Sequence, residues 1–130
     1  FHRLPNSVKS RLTVENDDKA TMYSVKDLYE GVYCKIGIPI VFDYHHHRFC
    51  TGGLSEEDAL EVAISTWGDV VPVVHYSESR NIEQEDDKIR PQAHSDYVYD
   101  YIDTYGNKVD IMVEAKAKEL AVLKYKELHG

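Results

Sequence analysis

Apolar residues fall along this chain in short continuous runs, and each run ends at a side chain able to bind a cation. The runs cover residues 11–15, 38–43, 70–75 and 109–114, and they end at Glu15, Asp43, His75 and Glu114. Unbroken apolar stretches of this length, rich in Val and Ile, are expected of parallel strands buried on both faces. The segments between them carry helical periodicity with start signals. Ser24 and Asp27 have the spacing of a capping box, and Val25, Leu28, Tyr29 and Val32 follow at i, i+3, i+4 and i+7. Ser55 and Asp58 open a second helix, with Leu60, Ala63, Ile64 and Trp67 on one stripe and Gly68 as its stop. A last helix over about residues 115–128 sets Ala117, Leu120, Ala121 and Leu128 on one side.

Alternating strand and helix predict an α/β fold with a parallel sheet covered by helices and right-handed crossovers. The strand ends lie 28, 32 and 39 residues apart. A (β/α)8 barrel of the TIM type uses roughly 30 residues per unit. Residues 1–130 therefore predict four successive βα units, half of such a barrel, with an open sheet exposing two edges. The long third interval contains a loop at residues 77–108, whose charged stretch from Glu83 to Asp87 is expected to be mobile, with His94 anchored. The alternate tyrosines Tyr97, Tyr99 and Tyr101, with Tyr105 beyond them, fit a short half-buried strand better than a platform for stacking on exposed bases.

Composition narrows the function classes. Asp and Glu number 23 against 15 Lys and Arg, a formal net charge of −8, which is the reverse of what a simple nucleic-acid coating protein carries. Clustered carboxylates holding divalent cations suit such a balance, because a bound ion inverts the local field. Cys34 and Cys50 are too few for a disulfide framework and lack zinc-site spacing, so a reducing, intracellular (cytoplasmic) setting is expected. No apolar run reaches the roughly 20 residues needed to span a bilayer, and no membrane partner is expected. The first residue is Phe1 rather than Met, and we expect a piece of a longer protein.

In parallel barrels, catalytic groups sit at the carboxy-terminal strand ends, so Glu15, Asp43, His75 and Glu114 should converge on one mouth. Carboxylates mixed with imidazoles suit manganese, zinc or iron better than calcium. The alternative for each residue is that a strand merely stops where polarity begins. His45, His46 and His47 follow Asp43 directly, and any of them could ligate while the others orient ligands by hydrogen bonds. His94 could be a ligand or a surface histidine. Asn16, Asp17 and Asp18 extend the first strand end, with solvation or capping expected for the two aspartates.

Taken in order, the stretches Leu12–Lys19 (LTVENDDK), Ile38–His47 (IPIVFDYHHH), His75–Ser79 (HYSES), Ala93–Asp96 (AHSD) and Asp110–Lys116 (DIMVEAK) resemble the UV damage endonuclease family nearly from end to end. That family is similar in fold to endonuclease IV. The resemblance implies the carboxy-terminal half of a (β/α)8 barrel with a cluster of divalent ions, usually manganese, zinc being another candidate. It implies incision of damaged double-stranded DNA on the 5′ side of UV photoproducts, leaving 3′-hydroxyl and 5′-phosphate ends. Carried over position by position, Glu15 bridges two ions, and Asp43, His75 and Glu114 complete the shell of one. His46 and His94 hold a third, Lys116 of the EAK motif joins Glu15 as a catalytic candidate, and Asn16, His45, His47 and Asp96 are candidates for supporting hydrogen bonds. Val73 stands where the family commonly carries a lysine that helps hold the third ion. The missing amino-terminal half would supply further ligands, and the 130 residues alone are expected to be inactive. Two alternatives remain: a metal-dependent sugar isomerase-like barrel, and a non-catalytic metal-binding half-barrel that self-associates.

Overall fold

The computed structural model describes residues 2–130. After a first short helix, α1 (Asn6–Lys9), comes β1 (Val14–Glu15), and α2 (Val25–Leu28) then runs through a wider π turn at Tyr29–Tyr33 into α3 (Cys34–Ile36). β2 (Ile40–Asp43), α4 (Tyr44–Phe49) and α5 (Glu56–Ser65) follow, then β3 (Val73–Tyr76) and α6 (Arg80–Glu83), and the chain closes with β4 (Asp110–Val113) and α7 (Glu119–His129). The four strands form one parallel sheet in chain order, β1-β2-β3-β4. Such an order never reverses direction, as a barrel sheet requires and a doubly wound sheet does not.

Burial follows the apolar runs at the centre and fails at the edge. All four residues of β2 are buried, and Ile40 and Phe42 join Val25, Leu28, Leu60, Ala63 and Val74 in the core. α5 packs on β2, and its end is stitched to the strand: Ile40 N–H donates to Thr66 Oγ1 at 2.8 Å, and Trp67 Nε1 donates to the Ile40 carbonyl at 2.8 Å. β4, expected to be buried on both faces, is instead exposed at Asp110, Ile111 and Met112, because among the described residues no strand lies beyond it.

The predicted capping box is formed. Ser24 Oγ accepts from Asp27 N–H, and Asp27 Oδ2 accepts from Ser24 N–H. Gly52 has φ +60°, and a Cβ there would lie 2.7 Å from the Ser24 Cβ, so the turn after α4 can approach this buried cap only as glycine.

Three expectations are corrected. The last helix starts at Glu119, not near Ala115, because Lys116 and Ala117 N–H donate to the carbonyls of Ser95 and Asp96 at 3.0 Å and Lys118 takes φ +54°. Only Ala121 of its expected stripe is buried; Leu120 and Leu128 are exposed. Residues 97–101 form no strand: Val98 and Ile102 are buried, while Lys124 Nζ lies 4.7 Å from the Tyr97 ring and 5.0 Å from that of Tyr99. Within the long loop, Glu83 ends α6, and its carboxylate accepts from Asp96 N–H at 2.8 Å, Tyr97 N–H at 3.0 Å and the Tyr99 hydroxyl at 2.7 Å.

Burial pushes the Glu83 pKa up, but those three donors, with the Gln84 side-chain amide, outweigh it and bring the group down from 4.5 to about 2. A depressed carboxylate adds stability above its unfolded value, and that stability is lost as pH falls towards the folded value. Glu83→Gln is therefore expected to lower the melting temperature near neutral pH. The gap from the parent should close as pH falls from 4.5 towards 2. A gap independent of pH in thermal melts would mean the charge of Glu83 is not what holds the loop.

Candidate metal centre

Strand register explains why the four strand-end groups share one face. Glu15 lies opposite Val41, Asp43 opposite His75, and His75 opposite Met112. Side chains alternate along a strand, so Val41 and Asp43 point the same way, as do Met112 and Glu114. Glu15, Asp43, His75 and Glu114 therefore project from one face along a staggered line, two residues back on β1 and two residues on beyond β4. One ligand atom from each lies within 4.8 Å of all the others.

The contacts within this group are close. His75 Nδ1 is 2.5 Å from Glu15 Oε2 and 3.3 Å from Glu114 Oε1. The first contact is not directed as a hydrogen bond, and both atoms, together with Asp43 Oδ2, are buried without a hydrogen-bond partner. Three carboxylates face one another across that space. Burial, aided by Glu15 and Glu114, pushes Asp43 up to about 7 against the pull of His46. Glu15 is raised by burial but drawn below its ordinary value by His75 and His46, and the Glu15 carboxylate raises His75 against its own burial. Buried oxygen and nitrogen atoms without hydrogen bonds, where three carboxylates meet, fit a divalent cation better than they fit one another.

Asn16, immediately after β1, locks Asp43 in place. Its amide Nδ2 donates to the Asp43 carbonyl at 3.0 Å and its Oδ1 accepts from Asp43 N–H at 2.9 Å. The pairing extends the β1–β2 ladder by one side chain. Asp43 is also the N-cap of α4, its Oδ1 accepting from His46 N–H at 2.9 Å, which turns Oδ2 towards the cluster.

Successive helical residues point about 100° apart, so the histidine triplet divides. His46 comes back over its cap, with Nε2 3.6 Å from Asp43 Oδ2 and Nδ1 2.7 Å from the Asn16 carbonyl. Donation from Nδ1 to that carbonyl leaves the Nε2 lone pair facing Asp43, the tautomer that ligation needs. His45 is buried against Phe49, 3.3 Å from the Gln92 carbonyl, and burial pushes it down to about 4. His47 is buried against Phe42.

The remaining candidates lie outside the cluster. His94 pairs by an isolated bridge with Ser79, and its ring centroid is 5.9 Å from that of His45. Asp96 accepts from the Arg80 guanidinium at 2.9 Å. Lys116 is exposed, and with Arg90, Gln92, Ala93, His94 and Ala115 it lines a recess of about 450 Å³ that Glu114 also walls. Asp17 caps locally, its Oδ2 accepting from Tyr23 N–H at 3.2 Å. Arg90 and Gln92 carried no signal in the sequence, since an irregular loop has no periodicity to place them. Among the described residues no helix is long and apolar enough to cross a membrane, and Cys34 and Cys50 are both free.

Comparison with known proteins gives one consistent neighbourhood. Residues 1–129 match the family model of the UV-endonuclease UvdE. A UV DNA damage endonuclease of Bacillus cereus (strain Q1) is 34% identical over 95% of the chain and 39% of its own length. A UV-damage endonuclease of Schizosaccharomyces pombe is 36% identical over 94% of the chain and 21% of its own length. In the crystal structure of SacUVDE the likeness has a TM-score of 0.75 and 33% identity, covering 98% of the chain and 44% of that protein. The chain thus spans about two fifths of the length of its bacterial relatives.

Proposed function

The chain belongs to the UV-endonuclease UvdE family, and from that premise we propose that it is the carboxy-terminal half-barrel of a metal-dependent DNA repair endonuclease incising 5′ to UV photoproducts. The observation that carries this reading is the convergence of Glu15, Asp43, His75 and Glu114 within 4.8 Å from four consecutive strands. Those four would hold a divalent ion, manganese first and zinc as another candidate. His46, its Nε2 turned to Asp43, and His94, on the recess that Glu114 also walls, are our candidates for a further ion, with Val73 supplying no ligand to it. A divalent ion in such a site supplies Lewis-acid polarisation of a phosphodiester and a water acidic enough to serve near neutral pH.

The chain's own residues prepare that site. Asn16 and the α4 cap fix the Asp43 carboxylate, and the Asn16 carbonyl fixes the His46 tautomer. Residues 77–108 form the wall on the β3–β4 side, where Glu83 holds the backbone of Asp96 and Tyr97. The exposed β4 edge and the exposed Leu120, Leu123 and Leu128 of α7 are the surface we assign to the rest of the barrel. Self-association of the isolated half would cover the same surface.

The test is conversion of UV-irradiated supercoiled plasmid to nicked circles in Mn²⁺. The full-length protein that carries this chain is expected to nick irradiated plasmid and spare unirradiated plasmid, while residues 1–130 alone show little nicking. Full-length protein that binds Mn²⁺ yet nicks both plasmids equally, or neither, would overturn the reading.

A further inference from the structure

The recess beside Glu114 has a character opposite to that of the cluster it adjoins. The cluster gathers three carboxylates, whereas the recess carries Arg90 and Lys116 on its rim. Both are exposed, and among the described residues neither side chain makes an ion pair or a hydrogen bond. Two other cations of the same region are engaged, Arg80 on Asp96 and Lys124 over Tyr97 and Tyr99.

The rim itself is held in place. Lys116 N–H donates to the Ser95 carbonyl at 3.0 Å, and Ala93 N–H donates to the Arg90 carbonyl at 3.0 Å. The Gln92 carbonyl meets His45 Nε2 at 3.3 Å, and its side-chain amide reaches the Asp18 carbonyl at 3.4 Å. The two cations thus start from a fixed backbone on either side of a cavity of about 450 Å³. In a chain of formal charge −8, a polyanion drawn to the carboxylate cluster needs local positive charge beside it. Arginine offers a planar fork to two phosphate oxygens, and lysine a compact charge to a third.

We propose that this recess seats the backbone phosphate next to the one presented to the metal centre, with the Arg90 guanidinium and the Lys116 ammonium as its cationic contacts. This rests on the nuclease reading, and it gives Lys116 a contact with the nucleic-acid strand rather than with the ion. Both residues contact phosphate and carry no base recognition, so they set where the strand lies and not which sequence is cut.

The proposal is tested with the full-length protein by titrating a fluorescently labelled, UV-irradiated duplex at several salt concentrations, with Mn²⁺ binding measured in parallel. Each lost phosphate contact makes the slope of log affinity against log salt shallower by about 0.9. Arg90→Ala and Lys116→Ala are each expected to show that change, and the double variant about twice it, with Mn²⁺ affinity unaltered. Arg90→Lys keeps the charge, so it should retain the parent slope while binding more weakly through loss of the fork. Unchanged slopes in the alanine variants overturn the proposal. A fall in Mn²⁺ affinity that accounts for the weaker binding overturns it as well, because the cations would then be supporting the metal centre. If the slopes change as expected but the parent does not nick irradiated DNA in any divalent metal, the phosphate seat stands and the repair-endonuclease reading falls.

Discussion

Asp43→Asn is expected to lower Mn²⁺ affinity by more than roughly 100-fold, beyond the 10- to 100-fold usual for residues that only support a ligand. The asparagine keeps the shape and can still accept from His46 N–H through Oδ1. What it removes is the Oδ2 charge, which is buried, lacks a hydrogen-bond partner and faces Glu15 and Glu114. Without metal, that charge is a cost to the fold, and the variant should be no less stable than the parent. With metal the order reverses. Ligand at 100 times its dissociation constant stabilises a fold by about 2.7 kcal/mol, a shift of several degrees in melting temperature for a domain of this size. Thermal melts with and without Mn²⁺ separate the two terms. A variant that is strongly destabilised in the absence of metal, or that still gains several degrees from Mn²⁺, would show that Asp43 serves the fold and not the ion.

The contrast between those two states explains why the cluster was legible in the sequence. A carboxylate ending a buried apolar run is poorly placed for stability, and Glu15, Asp43 and Glu114 repeat that conflict on three strands of four, with His75 on the fourth. Period-two alternation and the barrel stagger then bring them to one face, so the strand ends alone implied the centre. The division of the histidine triplet was not legible, because it depends on α4 starting at Asp43 without an intervening loop. The part Glu83 plays in the loop of residues 77–108 was not legible for a different reason. Glu83 looks solvated in a charged stretch, yet it receives the backbone of Asp96 and Tyr97, 13 and 14 residues further on. The late start of α7 has the same origin: Lys116 and Ala117 spend their N–H groups on Ser95 and Asp96. Local periodicity records which face a residue prefers; it holds no trace of a backbone donor captured by a distant loop. The exposed β4 edge lies outside its reach too, since what covers a strand is a property of the whole sheet.

Asn16 carries the other large effect, because one side chain holds both the sheet and the ligand. Asn16→Ala removes its bonds to Asp43 N–H and Asp43 C=O, both in a buried setting. Each backbone group left unsatisfied costs about 1–3 kcal/mol, so for the two groups a loss of about 2–6 kcal/mol in folding free energy is expected. The Asn16 carbonyl survives the substitution, and with it the hydrogen bond from His46 Nδ1. The variant therefore frees Asp43 while leaving His46 oriented. A loosened carboxylate should weaken Mn²⁺ binding by about 10- to 100-fold, the range expected when a ligand loses its support. Chemical denaturation measures the first effect, and metal titration at a temperature where the variant is fully folded measures the second. Loss of stability with unchanged Mn²⁺ affinity would reduce Asn16 to a tie between two strands. Unchanged stability would contradict the buried pairing itself, and with it the account of how β1 and β2 present Asp43 to the cluster.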